Sequence, residues 1–154
     1  MAGRPWLTLG GTADPAALRL EVLGRPEQLL PLRAALRSWL RAAGANEDDV
    51  VAMQIAAGEA AANAVEHAYH GIEPGPVWLV AHLEPGDVVR VEIGDSGRWQ
   101  PQRALNSGRG RGLLLMRECV DDVSLARSPG GTTVVLRLRL GLDRDGSGSE
   151  LALG

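Results

Sequence analysis

Lysine and phenylalanine are absent from this chain of 154 residues, and all sixteen of its basic residues are arginine. A Walker-type phosphate loop, the lysine–glutamate pair of eukaryotic-type protein kinases and any Schiff-base mechanism each need a lysine amine, so all three are excluded. Cysteine is reduced to Cys119, set in an apolar stretch from Leu113 to Val120, where it reads as a small buried hydrophobe. With no partner for an intrachain disulfide, a reducing, cytoplasmic setting is expected. The net charge of −3 supplies no field toward nucleic acid or anionic lipid, and neither partner is expected. No apolar run approaches the ~18 residues of a membrane span, and the first residues lack the apolar core of a signal peptide.

What is present suffices for one domain, since 45% of the residues are hydrophobic. Residues 1–15, rich in Gly, Pro and Thr, are expected to be a flexible leader, and residues 142–154, rich in Gly, Ser and acids, a disordered tail. Between them, residues 16–141 carry periodic patterns. Ala17 to Leu23 alternates as a strand, ended by Gly24. Pro26 suits a helix's first turn, and Leu29, Leu32, Leu36, Trp39 and Leu40 follow the helical period up to Gly44. Asn46 ahead of Glu47, Asp48 and Asp49 reads as an N-cap with favourable charge behind it, opening a helix over about residues 47–70. Val77–Leu83 and Val88–Ile93 form a hairpin across Glu84–Asp87; Val123–Ala126 and Thr132–Leu140 form another across Ser128–Gly131. A short helix from Leu113 to about Val120 lies between the hairpins, entered from the glycine-rich run Gly108-Arg109-Gly110-Arg111-Gly112. The order predicts an α+β fold of two layers, helices on one face of a mixed or largely antiparallel sheet.

Three polar clusters punctuate that pattern. Glu59, Asn63 and His67 are each four apart, so on a helix they form one stripe drifting by about 40° per step. Among alanines that pack a helix close to a sheet, such a stripe faces water, a partner or a ligand. Its bland reading is a solvated helix face. Asp95-Ser96-Gly97 ends a strand, where the carboxylate can accept from an exocyclic amine and the glycine leaves room for a flat base, though such a sequence is also an ordinary turn. Gly110-Arg111-Gly112-Leu113 opens a helix whose first amides and dipole suit phosphate oxygens. Arg109 and Arg111 either clamp phosphate or keep a loop solvated. Trp6, Trp39 and Trp78 read as core or leader packing, Glu66 as a surface charge, and His67 with His70 as a packing or capping pair rather than a zinc site.

In this order the clusters resemble the ATP-binding fold shared by DNA gyrase, the heat-shock chaperone ATPases, sensor histidine kinases and the mismatch-repair ATPases, most closely the anti-sigma-factor serine/threonine kinases. Glu59-x-x-x-Asn63-x-x-x-His67-Ala68-Tyr69 matches the family's N box, and Asp95-x-Gly97 its first glycine box. Gly110-x-Gly112-Leu113-x-Leu115-Met116 matches the second glycine box and Gly131-Thr132 the last motif. The resemblance implies that Asn63 ligates Mg²⁺ and that Asp95, beside Gly97, accepts from the adenine amine of ATP with Thr132 supporting through water. It further implies that Gly108 to Leu113 line the phosphates, Gly110 and Gly112 shaping the lid, and that Glu59 is the general base. Trp99 stands where the family has a second glycine two residues after Gly97; its ring could cap the nucleotide, pack the lid down or belong to a partner surface.

Protein phosphorylation without a lysine follows: a carboxylate near the γ-phosphate takes the proton of an incoming hydroxyl. The resemblance implies an anti-sigma-factor antagonist as substrate and a sigma factor held inactive, and it leaves a homodimer open. A rival from another class is a nonenzymatic ATP- and partner-binding module, of the kind fused to phosphatases. A sensor histidine kinase would need a dimerisation helix pair with a phospho-acceptor histidine, which no segment before residue 46 supplies.

Overall fold

The structure is a computed structural model that describes residues 17–69, 71–97 and 109–142. Strand β1 (Ala17–Leu23) leads through a single turn at Pro26–Gln28 into α1 (Leu29–Ala42). Helix α1 is amphipathic: Leu32, Leu36, Trp39 and Leu40 are buried, and arginines occupy the outer face. Helix α2 (Glu47–Asn63) begins on a full capping box. The Asn46 side chain accepts from the Asp49 amide at 2.8 Å, and the Asp49 carboxylate accepts from the Asn46 amide at 3.2 Å. Asp49 is buried because it also accepts from the Gly141 amide at 3.0 Å, tying the end of the last strand to the start of α2. Of the helix expected over about 47–70, Glu47–Asn63 is α-helical and Ala64–Ala68 widens into a π turn that ends at Tyr69.

Five strands, β1, β2 (Pro76–Glu84), β3 (Val88–Asp95), β4 (Asp122–Ser128) and β5 (Gly131–Arg139), form one sheet in the order β1-β2-β3-β5-β4. Every pair is antiparallel, which settles the mixed-or-antiparallel alternative. Because β5 inserts between β3 and β4, Asp95 at the end of β3 stands opposite Thr132 at the start of β5. Both expected hairpins are present, the first turning through Gly86 (φ 84°) and Asp87 (φ 57°).

The core lies between the helices and one sheet face. Val77, Leu79, Ala81, Val89, Val91, Ile93, Leu136 and Leu138 point inward with at most slight exposure, against Leu36, Trp39, Met53, Ala56, Ala57, Ala60 and Ala61. Small side chains along α2 let its axis approach the sheet closely. Truncating Leu36 to Ala there would cost on the order of 2–5 kcal/mol. Trp78 departs from the core expectation: by strand alternation it lies on the opposite face, and any side chain on its cross-strand partner Gly94 would run into its ring.

Helix α3 (Arg109–Cys119) starts four residues earlier than expected, so Gly110, Arg111 and Gly112 belong to its first turns and not to a loop before it. Glycine in a helix interior is unfavourable by roughly 1 kcal/mol relative to alanine. Close packing of position 112 against α2, where a Cβ would crowd the Glu59 side chain, favours glycine there.

Candidate nucleotide-binding site

Helix α2 and the first turns of α3 form one side of the site. Glu59 and Asn63 lie one turn apart on α2, both half-buried, and Gly112 of α3 sits directly over them. A Cβ at position 112 would stand 3.2 Å from Glu59 Oε2 and 3.5 Å from Asn63 Nδ2. The glycine therefore keeps open a cradle between a carboxylate, an amide and the N-terminal end of a helix, whose first amides have no intrahelical acceptor. Arg111 is exposed, and Leu113 is half-buried. Arg109 and Gly110 belong to the same helix start, while Gly108, Trp99, His70, the leader and all but Leu142 of the tail lie outside the described residues.

The ends of β3 and β5 form the other side. Asp95 is buried, and its Oδ1 accepts from the Gly97 amide at 3.0 Å. The turn reading of Asp-x-Gly is thus correct as far as it goes, and it fixes the carboxylate. Thr132, the register partner of Asp95, is buried beside it. Gly131 has φ 143° and abuts the Asp95 carbonyl so closely that no side chain fits. Gly97 is equally confined, here by the carbonyl of Ala68 in the π turn. The structure thus joins the motifs in two groups, Glu59 with Asn63 and Gly112, and Asp95 with Gly97 and Thr132, bridged by the π turn.

That turn falls within the stripe predicted for Glu59, Asn63 and His67: from Ala64 onward the helix departs from the α register, and His67 is buried. Glu66 is exposed, as expected of a surface charge, with its carboxylate 3.9 Å from His67 Nε2.

The sequence profile of the histidine kinase-like ATPase domain matches residues 22–138. The chain belongs to that family. The serine-protein kinase RsbW of Bacillus velezensis is 27% identical over 148 residues, 87% of this chain and 92% of the relative. RsbW of Listeria innocua is 27% identical over 135 residues, 78% of this chain and 85% of the relative. The crystal structure of the RsbU and RsbW domains of Rv1364c from Mycobacterium tuberculosis superposes with a TM-score of 0.68 at 27% identity, over 82% of this chain. The present chain spans 33% of that longer one. The resemblance to the anti-sigma-factor kinases, read from the motifs, is borne out, and so is the α+β fold of the family.

Within this ATPase-family site, sequence reasoning matched Tyr69 to the end of the N box but assigned it no role. The structure shows it buried, its hydroxyl donating to the Pro76 carbonyl at 2.6 Å and accepting from the Ser96 amide at 2.9 Å. Burial, with the negative charge of Asp95 adding to it, pushes the Tyr69 phenol above its ordinary pKa even though the Ser96 amide pulls the other way. The available signal was that Tyr69 is the chain's one tyrosine and stands within a matched motif. At the far end of α3, burial, then Glu118 and then Glu59 push the Cys119 thiol up, so it is not an activated nucleophile.

Proposed function

We propose that the chain is a Mg²⁺-ATP-dependent serine/threonine protein kinase that acts as an anti-sigma factor, phosphorylating an anti-sigma-factor antagonist and sequestering a sigma factor. The observation that supports this most is the cradle where Glu59 and Asn63 meet Gly112 at the start of α3. It brings a proton acceptor, a neutral oxygen ligand and helix amides to one place, while Asp95 and Thr132 offer a polar patch at the strand ends for a base. The RsbW relatives carry the name serine-protein kinase, which agrees with this reading.

The donor set suits a hard divalent cation bound mainly through phosphate: one amide oxygen at Asn63 and a nearby carboxylate, with space kept by Gly112. When bound, Mg²⁺ would neutralise charge on the polyphosphate. The protein's own residues do the rest. Asp95, held by the Gly97 amide, accepts from the adenine amine. The first amides of α3 hold phosphate oxygens, and Arg111, exposed at that helix start, adds positive charge. Glu59 accepts the proton of the substrate serine or threonine hydroxyl as its oxygen bonds to the γ-phosphorus and the bond from that phosphorus to the β–γ bridging oxygen breaks, ADP leaving with the bonding pair.

The direct test is to incubate the protein with Mg-ATP and candidate antagonist proteins from the same genome and look for phosphoserine or phosphothreonine. Phosphorylated partner supports the kinase. A partner that binds in the presence of ATP and is never phosphorylated supports the nonenzymatic module. Asn63→Ala should abolish the Mg²⁺ dependence of ATP binding without unfolding the chain, and an unchanged magnesium response by calorimetry would remove Asn63 from the metal site.

A further inference from the structure

Tyr69 ends the N-box match and occupies a junction of several segments. It closes the π turn, and its ring fits only because positions 24 and 75 are glycines. A Cβ at Gly24 would stand 2.8 Å from its Cδ2, and one at Gly75 2.5 Å from its Cε1. Three separate segments thus converge on one ring: the end of β1, the loop before β2 and the end of the N-box helix. The hydroxyl adds a fourth, because it accepts from the Ser96 amide at 2.9 Å while donating to the Pro76 carbonyl at 2.6 Å.

Ser96 directly follows Asp95, and the next amide, that of Gly97, donates to Asp95 Oδ1. Both amides after Asp95 are therefore engaged, one by the Tyr69 hydroxyl and one by the Asp95 carboxylate itself. Freeing the first would let the Ser96 peptide rotate, and the Asp95–Gly97 turn with it. On the other side the Asp95 backbone is held in the ladder opposite Thr132. Any slack would be taken up by the carboxylate's orientation.

We infer that Tyr69 is a positioning residue for base recognition, its hydroxyl pinning the Ser96 amide so that the Asp95 carboxylate is held in the one orientation that accepts from an adenine-type exocyclic amine. This rests on the reading of Asp95 as the base acceptor. A tyrosine that merely packed would affect stability alone. A positioning tyrosine affects which base is preferred, because a reoriented carboxylate no longer separates an amine from a carbonyl.

Tyr69→Phe keeps the ring and removes only the hydroxyl. Mg-ATP and Mg-GTP affinities are measured by calorimetry on the full chain for the parent, Tyr69→Phe and Asp95→Ala. Tyr69→Phe is expected to weaken ATP by about tenfold and to lower the ATP-over-GTP preference by a similar factor, the order of one hydrogen bond's loss. A parental preference in Tyr69→Phe, together with a collapsed one in Asp95→Ala, overturns the inference and leaves the base-pocket reading intact. A parental preference in Asp95→Ala overturns both. Should Tyr69→Phe not fold, the chain's single tyrosine allows 3-fluorotyrosine to report on position 69 alone by ¹⁹F NMR. The resonance is expected to shift more with Mg-ATP than with magnesium and inorganic triphosphate, which lacks a base; equal shifts overturn the inference.

Discussion

The two ends of the site are built in different ways. At the α2–α3 end, Glu59, Asn63 and Gly112 meet because two helices approach closely, and the side chains stay half-buried with room around them. At the β3–β5 end, Asp95 and Thr132 meet because strand register places them opposite one another, and Gly97 and Gly131 are walled in by main chain. A helix face tolerates a change of side chain, since the helix bonds do not involve it. A strand end locked against a neighbour's carbonyl does not. The first end should therefore answer to mutation in rate, the second in folding and base affinity.

The largest effect is expected at Glu59. Glu59→Gln keeps shape and polarity and removes proton acceptance, so phosphorylation of the partner should slow at least about a hundredfold while Mg-ATP and partner binding persist. Transfer at the parental rate would show that the base lies elsewhere and erase the functional contrast between the two ends.

Next comes one substitution made at both ends. Gly131→Ala puts a Cβ into the Asp95 carbonyl at φ 143° and should lower unfolding free energy by about 3 kcal/mol, read from urea titration. Gly112→Ala meets side-chain atoms at 3.2 Å and 3.5 Å, which can give way slightly, so its stability should change by no more than about 1 kcal/mol, with phosphoryl transfer falling much further. Equal losses of stability would abolish the distinction drawn here.

A smaller effect is expected for Asp95→Ala, which removes one charged hydrogen bond worth about 1.5–3 kcal/mol and should weaken ATP roughly tenfold or more. ATP bound as tightly as by the parent would remove Asp95 from the base pocket. The smallest effect is alkaline. Tyr69 and Cys119 both have pKa values raised in the folded state, so the native protein holds their protons longer than the unfolded chain does. The stability this contributes is complete below their unfolded values, about 8.5 for Cys and 10 for Tyr, and is lost as pH rises through the folded values. Melting temperature should decline above about pH 8.5, and Tyr69→Phe should flatten the part above about pH 10. Parallel declines in parent and variant would show that Tyr69 carries none of it.

Asn46, the Leu32–Leu40 stripe and the alternating strands were legible because capping, helical period and strand period are local properties of neighbouring residues. The motifs were legible for a related reason: Asp95-x-Gly97 and the spacing of Glu59 and Asn63 need only one turn or one helix to have meaning. The π turn after Asn63 was not, since nothing in Ala64–Ala68 disfavours an ordinary α turn; the widening belongs with the packing of Ala68 against Gly97. Nor was the early start of α3, where glycine propensity argues for a loop and contact with α2 overrides it. By itself, the order of residues determined most of the elements and the family, and it named the candidate site residues. Only the tertiary structure decided that β5 lies between β3 and β4, which puts Thr132 beside Asp95, and that Tyr69 reaches Ser96, because both depend on contacts between segments far apart in the chain.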